Sequence, residues 1–145
     1  MIQNLVRDVT ALGGSFFYFV LVILAFFVEK WSLGMQLLLG YICIHIIAIP
    51  IRFLFFRVRP KPRSTYTLIQ KIDAASFPSL HASRASFLGL FFIRLWGMNA
   101  LGVIIFLLAC ATLWSRYYLQ EHHMGDILTG ALLGAAISFL VPYIA

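Results

Sequence analysis

The stretch SRYYLQEHHMGD (residues 115–126) separates two long apolar segments and is itself rich in ionisable side chains. Its spacing is Ser-Arg-x5-His-x3-Asp, with Arg116, His122 and Asp126 as the ionisable members. Two more polar blocks lie upstream in equally apolar surroundings: Arg52-x6-Arg59-Pro60 and Pro78-Ser79-Leu80-His81. Because ionisable groups are costly at membrane depth, three such blocks indicate a functional site.

The composition excludes an ordinary soluble domain. Of 145 residues, 62% are hydrophobic and only 11% are charged, which is typical of an integral membrane protein. The length allows one domain, residues 1–145. The net charge of +6 favours anionic phosphate and lipid headgroups as partners over nucleic acid, because the basic residues cluster near the blocks and the ends of the apolar segments.

The hydropathy pattern predicts an all-α bundle of about five transmembrane helices. Each apolar segment covers roughly the 20 residues that a ~30 Å hydrocarbon layer requires. A short amphipathic helix over residues 1–12 is expected to lie at the interface before the first span. The predicted spans are 10–28, 32–56, 78–95, 100–118 and 124–144, with a basic loop at 57–77.

The order of these spans predicts that the three blocks meet. The first block closes the second span, the second block opens the third span, and the third block joins the fourth span to the fifth. With one crossing per span, all three blocks lie on the same membrane face. Which face this is, and the oligomeric state, stay open.

The third block suits nucleophilic catalysis. If His122 and Asp126 share a helix, one turn places them on one face, and the carboxylate can fix the imidazole tautomer. Arg116 can bind phosphate oxygens through its forked guanidinium. Alternatively, Asp126 is a helix cap, His122 an interfacial side chain and Arg116 an interfacial anchor.

The second block is typical of a helix start. Pro78 suits the first turn, where its missing N–H is not needed. The N–H groups that follow, with the Ser79 hydroxyl, form an anion site at the positive end of the helix dipole. His81 can point at the same site and protonate a leaving alkoxide. An ordinary proline-initiated helix is the alternative.

The first block supplies two more cations. Arg52 lies inside the second span, where an arginine needs an anionic partner or an escape to the interface, and Arg59 lies just beyond it. Arg84, one turn past His81, either neutralises substrate charge or braces the site. His45 is expected to be a hydrogen-bonded core residue.

Together these groups indicate phosphoryl transfer through a histidine. His122 is expected to attack phosphorus, His81 to protonate the leaving lipid alcohol, and water to cleave the phosphohistidine. The arginines hold the phosphoryl oxygens and supply the positive charge that a metal ion would otherwise provide, so no metal or cofactor is predicted.

The three blocks resemble the signature of the type-2 phosphatidic-acid phosphatase superfamily, whose pattern is Lys-x6-Arg-Pro, Pro-Ser-Gly-His and Ser-Arg-x5-His-x3-Asp. The resemblance covers residues 52–126 with the spacing intact. It implies a helical bundle with lipid phosphate phosphatase activity, in the cell membrane. It also implies phosphate binding by Arg52, Arg59, Ser79, the Leu80 amide and Arg116, with His81 as general acid, His122 as nucleophile and Asp126 as its orienting partner.

Two departures keep other reactions open. Arg52 replaces the family's lysine, and Leu80 replaces its glycine. A Pro-Ser-Leu-His block is similar to inositol phosphorylceramide synthases, which transfer a phospho-headgroup between lipids. The context of residues 77–85 is similar to members that act on isoprenoid diphosphates. The family's bundle has six spans, one more than predicted here.

Further alternatives come from the residues themselves. The alternative outside enzymes is a small transporter or structural membrane protein whose buried charges line a pathway. A metal site on His122, His123 and Asp126 is conceivable but lacks further ligands. His123 is the rival nucleophile, although only His122 satisfies both the gap from Arg116 and the gap to Asp126.

Overall fold

Six α-helices make up most of the part of the chain that the computed structural model describes, residues 2–61, 67, 70 and 74–143. No strand occurs within those ranges, which confirms the all-α prediction. Residue 1, much of the predicted basic loop (62–66, 68–69 and 71–73) and residues 144–145 lie outside the described residues. The helices are α1 (Ile2–Ala11), α2 (Ser15–Phe27), α3 (Trp31–Leu54), α4 (Leu80–Trp96), α5 (Ala100–Tyr118) and α6 (Met124–Leu140), followed by a 3₁₀ turn (Val141–Tyr143).

The helix boundaries follow the predicted spans except at the first one. A continuous helix was expected from residue 10, but α1 ends at Ala11, α2 begins at Ser15, and the two are bent by 46°. The break coincides with Gly13 and Gly14. A Cβ on Gly13 would lie 2.9 Å from Thr112 Cγ2 and 3.0 Å from the His81 carbonyl oxygen, so the chain can pass here only without a side chain.

The distribution of side chains is that of a protein in lipid. Arg52, Arg84 and Arg116 are buried, at 2%, 4% and 3% exposure, while Phe16 and Phe27 are 85% and 83% exposed. Charged side chains facing inward and large apolar side chains facing outward reverse the arrangement expected in water. The helices therefore present their apolar sides to the membrane.

Two of the described helices, α3 and α5, are long and apolar enough to cross a membrane on their own, and α1 with α2 would make a third, bent span. The apolar α6 has 17 residues, and α4 also has 17 but carries His81 and Arg84 in its first turns. The predicted count of five spans thus goes beyond what helix length and composition establish. The interfacial position of α1 likewise stays a prediction.

Helix α4 is the centre of the bundle and packs most extensively against α5 and α6. Glycines on α6 permit the close approach: a Cβ on Gly130 or Gly134 would overlap the carbonyl oxygen of Ser79 or Ser83. The backbone N–H of Ser79 donates to the carbonyl of Asp126 at 3.0 Å. The starts of α4 and α6 are therefore held together, and the second and third polar blocks with them.

Candidate active site

Side chains from all three polar blocks line one cavity of about 300 Å³, where α3 and α5 end and α4 begins. This meets the expectation that the blocks converge at one end of the bundle. His122 lines an adjacent, more open cavity with Pro60 and His123, and it lies close enough to His81 for their charges to interact. The cavity is lined by Ser15, His45, Arg52, Arg59, Leu80, His81, Arg84 and Arg116.

The start of α4 differs in one detail from the sequence prediction. Pro78 was expected in the first turn, but the helix begins at Leu80 and Ser79 is its N-cap. The Ser79 hydroxyl accepts a hydrogen bond from the Ala82 N–H at 3.4 Å, which is an ordinary capping contact. Arg52 donates to the Pro78 carbonyl from Nε at 3.1 Å and from Nη2 at 2.8 Å. The first block thus holds the turn that leads into the second.

His122 is held by a backbone carbonyl. Its Nδ1 lies 2.7 Å from the oxygen of Ser76, and the residue is only 1% exposed. Because a carbonyl oxygen can only accept, Nδ1 must carry the hydrogen in the neutral ring. The lone pair is then on Nε2, which is the atom a nucleophilic histidine needs.

The interaction expected between Asp126 and the His122 ring is not formed, and that part of the sequence prediction is wrong for this structure. Helix α6 begins at Met124, so His122 lies before it and not one turn away on the same face. The Asp126 carboxylate turns back and accepts from the His123 N–H at 2.9 Å. Its other oxygen accepts from Arg57 Nη1, also at 2.9 Å. Asp126 therefore caps α6, and Ser76 orients the histidine.

Burial and nearby cations lower the pKa of His122. Removal from water is the largest cause, followed by the positive charges of Arg59 and Arg116, and the pKa falls to about 2. The hydrogen bond to Ser76 acts in the opposite direction but does not outweigh them. The imidazole is thus neutral at physiological pH, as a nucleophile requires.

Sequence reasoning missed Glu121. Its Oε2 accepts from Arg59 Nη1 at 2.7 Å and lies 3.6 Å from Arg116 Nη2, so one carboxylate joins arginines from two different blocks. The sequence did carry a signal for it. Glu121 lies between Arg116 and His122 and, with Asp126, is one of two acidic residues in the third block.

His45 and Arg84 brace the cavity wall. His45 Nδ1 lies 2.8 Å from the Tyr41 carbonyl, as expected for a hydrogen-bonded core residue, and Nε2 faces Arg84 Nη1 at 3.4 Å. Arg84 Nε donates to the Gly13 carbonyl at 2.8 Å. Arg84 therefore ties the break between α1 and α2 to the start of α4, while it still lines the cavity.

No group of three His, Cys, Asp or Glu side chains with the spacing of a metal site occurs in residues 2–61, 67, 70 and 74–143. The three residues considered for such a site from the sequence are engaged elsewhere. His122 is bonded to Ser76, Asp126 to Arg57 and the His123 amide, and His123 Nε2 lies 3.3 Å from the Val58 carbonyl.

Fold and site together define an integral membrane helical bundle with a cationic pocket at one end. The PAP2 superfamily model matches residues 29–145, and the chain belongs to this superfamily. The family expected from the three blocks is thereby confirmed.

Known relatives agree with this assignment. A lipid A 4'-phosphatase of Bacteroides thetaiotaomicron is 36% identical over 69 residues, which are 48% of this chain. The matched part spans only about a third, 31%, of that curated relative.

Two solved structures share the fold. One is a transmembrane PAP2-type phosphatidylglycerolphosphate phosphatase from Bacillus subtilis, with a TM-score of 0.76 and 24% identity over 99% of this chain and 76% of that one. The other is LpxE of Aquifex aeolicus, with a TM-score of 0.77 and 21% identity over 98% of this chain and 86% of that one.

Proposed function

We propose that this protein is a multi-pass phosphatase of the cell membrane that hydrolyses lipid phosphates through a phosphohistidine, without a metal ion or cofactor. Residues 1–145 form its single domain, with about five spans. The observation that carries the proposal is the convergence of the three blocks: Arg52 and Arg59, Leu80 and His81, and Arg116 line one cavity. His122 lies beside it, close enough to His81 for their charges to interact.

The arginines and the start of α4 form the phosphate site. Arg52, Arg59 and Arg116, all three buried, bring three positive charges to this cavity. The Leu80 N–H and the Ser79 hydroxyl lie at the positive end of the α4 dipole and add hydrogen-bond donors. Such donors stabilise the charge on the equatorial oxygens of a five-coordinate phosphorus.

In the first step Nε2 of His122 attacks phosphorus in line with the bond to the lipid oxygen. The N–P bond forms as the P–O bond breaks, and His81 gives its proton to the departing alkoxide. A phosphate dianion beside His81 favours the protonated imidazole that this step requires. A phosphomonoester yields the lipid alcohol and a phosphohistidine, whereas from a diphosphate the departing group is the lipid monophosphate.

In the second step water attacks the phosphorus of the phosphohistidine. Neutral His81 takes the proton of that water, the N–P bond breaks, and the electron pair returns to Nε2 of His122. Inorganic phosphate leaves, and both histidines are restored to their starting states. Asp126 contributes by fixing the start of α6 next to His122.

The substrate class is a lipid phosphomonoester or diphosphate, with either an isoprenoid or a phosphatidate-like lipid. The sequence around His81 favours isoprenoid diphosphates. The names of the similar proteins specify lipid A and phosphatidylglycerolphosphate, so the lipid that carries the phosphate differs among them.

Transfer to a lipid acceptor is the second candidate, and Leu80 is the observation that favours it. Its side chain lines the phosphate cavity in place of the glycine of the family pattern. An apolar group there reduces the room for water beside the phosphoryl group. An acceptor alcohol then competes better for the phosphohistidine.

A phosphate-release assay tests the proposal. Purified protein in mixed micelles is given isoprenoid and glycerolipid mono- and diphosphates, with His122→Ala protein as the blank. We expect phosphate release from at least one class of lipid phosphate, at a rate that a chelator does not change. A new phospholipid should form only if the enzyme transfers the phosphoryl group to an added acceptor alcohol. Release that chelator abolishes would contradict the metal-independent mechanism, and no release from any lipid would favour a transporter or structural protein.

A further inference from the structure

A second cavity, of about 170 Å³, lies between α2, α4 and α5. Its walls are apolar apart from Thr112, whose hydroxyl lies 2.8 Å from the Leu108 carbonyl and is thus satisfied within α5. The residues that form its middle section are Phe17, Leu88, Gly89, Phe92, Ile105 and Ala109.

The phosphate cavity and this apolar groove share the helices α2, α4 and α5, and α3 contributes to the phosphate cavity alone, through His45 and Arg52. On α4, His81 and Arg84 line the phosphate cavity, and the residues from Ala85 to Trp96 that follow on that face line the groove. On α5, Arg116 lines the former and the residues from Thr112 back to Ile105 line the latter. On α2, Ser15 precedes Phe17 in the same order. The groove therefore leads away from the phosphate site.

Gly13 marks the junction between the two cavities. It packs between Thr112, which lines the groove, and His81, which lines the phosphate cavity. Its carbonyl is held by Arg84. The neighbouring Leu12 is part of the groove wall.

The groove runs along most of α4. Ala85 and Trp96 are 11 residues apart on this helix, a rise of roughly 16 Å at ~1.5 Å per residue. Trp96 is the last residue of α4 and lies at the opposite end from His81. A chain that starts near the phosphate site can thus follow α4 through the apolar layer.

We propose that this groove binds the hydrocarbon chain esterified to the phosphate that the site hydrolyses, and that it selects substrates by chain length and width. The inference rests on the proposed phosphatase function and adds a second recognition element to it. At the middle of the groove α4 and α5 are in close contact, since a Cβ on Gly89 would lie 2.8 Å from the Ala109 Cβ.

The groove acts on positioning more than on affinity. A chain that moves from the bilayer into the groove exchanges one apolar environment for another, so water exclusion contributes little. Packing contacts along the chain instead fix where the phosphate end sits relative to His122. Such remote contacts raise the rate of the chemical step, and substrates that lack them lose turnover.

Filling the groove tests the inference. Ile105→Trp places an indole in it, and Ile104→Trp is the matched control, because Ile104 is the adjacent residue of α5 and is 53% exposed. Phosphate release is measured for four-carbon and sixteen-carbon alkyl phosphates in mixed micelles. We expect Ile105→Trp to lower kcat/KM for the sixteen-carbon substrate about tenfold or more and to leave kcat/KM for the four-carbon substrate within about twofold. Ile104→Trp should change neither value.

Equal effects of Ile105→Trp on both substrates, or no effect on either, would overturn the inference. If the unsubstituted protein releases phosphate from neither alkyl phosphate and from none of the isoprenoid and glycerolipid phosphates, the proposed function fails, and a binding measurement decides about the groove. Sixteen-carbon alkyl phosphate with a diazirine in the chain is photolysed on the protein, with the corresponding diazirine alcohol as comparison.

Labelling of α4 and α5 groove residues by the phosphate probe alone supports the inference independently of turnover. Equal labelling of those residues by both probes shows a site for any membrane chain and contradicts a substrate site. Labels spread over the exposed faces of the helices contradict it as well.

Discussion

Nη1 of Arg59 lies 2.7 Å from Oε2 of Glu121, and Nη2 of Arg116 lies 3.6 Å from the same oxygen. One carboxylate thus sits between two arginines that are proposed to bind phosphate. The Glu121 side chain is 17% exposed, and those of Arg59 and Arg116 are 5% and 4% exposed. Incoming phosphate must share these guanidinium groups with the carboxylate or displace it.

We therefore expect Glu121→Gln to bind phosphate more tightly. Removing the negative charge lowers the repulsion of a phosphate dianion and releases hydrogen-bond donors of Arg59. The inhibition constant of inorganic phosphate should fall about three- to tenfold, since partial exposure weakens the charge effect. Competitive inhibition of lipid phosphate hydrolysis measures this.

Glu29→Gln is the matched control for that measurement. Glu29 is an exposed residue in the connection between α2 and α3, and it lines a cavity with Leu95 and Trp96, at the other end of α4 from His81. The same chemical change there should leave phosphate inhibition as it was. A Glu121→Gln protein with weaker or unchanged phosphate binding would show that the carboxylate does not compete for the site.

Asp126 and Arg57 should be energetically coupled. Asp126 is fully buried and accepts from both Arg57 and the His123 amide, whereas the Arg57 side chain is 48% exposed. Asp126→Asn should lower the stability by about 1–2 kcal/mol through the weakened cap. A double-mutant cycle with Arg57→Ala, read from thermal unfolding in detergent, should give a coupling of roughly 0.5–1 kcal/mol.

The same variant separates a cap from a partner of the nucleophile. Because the Asp126 carboxylate does not contact the His122 ring, Asp126→Asn should reduce turnover without moving the acidic limb of the pH–rate profile. The contrary result has two parts: a shifted acidic limb of the pH–rate profile, and additive effects of Asp126→Asn and Arg57→Ala on stability. It would mean that Asp126 acts on His122 directly.

The lowered pKa of His122 predicts a dependence of stability on pH. In the unfolded chain a histidine titrates near 6.5, whereas in the folded protein burial and Arg59 lower the pKa of His122 to about 2. Between these values the unfolded state binds more protons, so the contribution of His122 disfavours folding as the pH falls below about 6.5. The slope from one such group is at most about 1.4 kcal/mol per pH unit.

Thermal unfolding of the unsubstituted protein and of His122→Gln between pH 4.5 and 7.5 checks this. As the pH decreases, the Tm of His122→Gln should rise relative to the Tm of the unsubstituted protein. Parallel curves would show that His122 titrates alike in both states. Saturating phosphate should reduce the slope, because a bound anion offsets the positive charges of Arg59 and Arg116.

Gly134 should be intolerant of any side chain. A Cβ there overlaps the Ser83 carbonyl of α4, and backbone atoms cannot rotate away. Gly134→Ala should destabilise the protein by about 1–3 kcal/mol through overpacking. Gly125→Ala is the control, because a Cβ at Gly125 has only Arg57 Nη1 nearby, at 3.7 Å. Similar Tm values for the two variants would contradict the tight α4–α6 contact.

The sequence was enough to predict that three distant blocks meet, because alternation of membrane crossings constrains topology without any knowledge of side-chain packing. A separate short helix over residues 1–12 was predicted, but the position of the break after it was not, because the first span was expected to begin at residue 10. Gly13 and Gly14 lie in an apolar run that is compatible with a continuous span. The break is required by the close approach of Gly13 to His81 and Thr112, which lie about 70 and 100 residues away in sequence.

The partner of His122 could not be predicted from spacing either. The interval to Asp126 corresponds to one helical turn only if both residues are helical, and α6 begins two residues after His122. The actual partner, the Ser76 carbonyl, is a backbone atom, so no residue type at position 76 signals it. Glu121 was missed because its role depends on Arg59, which is contributed by a different block.

Trapping of the phosphoenzyme shows whether His122 becomes phosphorylated during turnover. The protein is mixed with a lipid phosphate radiolabelled at phosphorus, quenched in alkali, and the label is mapped by peptide. We expect label on His122 in the unsubstituted and His123→Ala proteins, with substantial turnover in both. We expect no label and no turnover in His122→Ala. Turnover that persists in His122→Ala but is lost in His123→Ala would contradict this expectation.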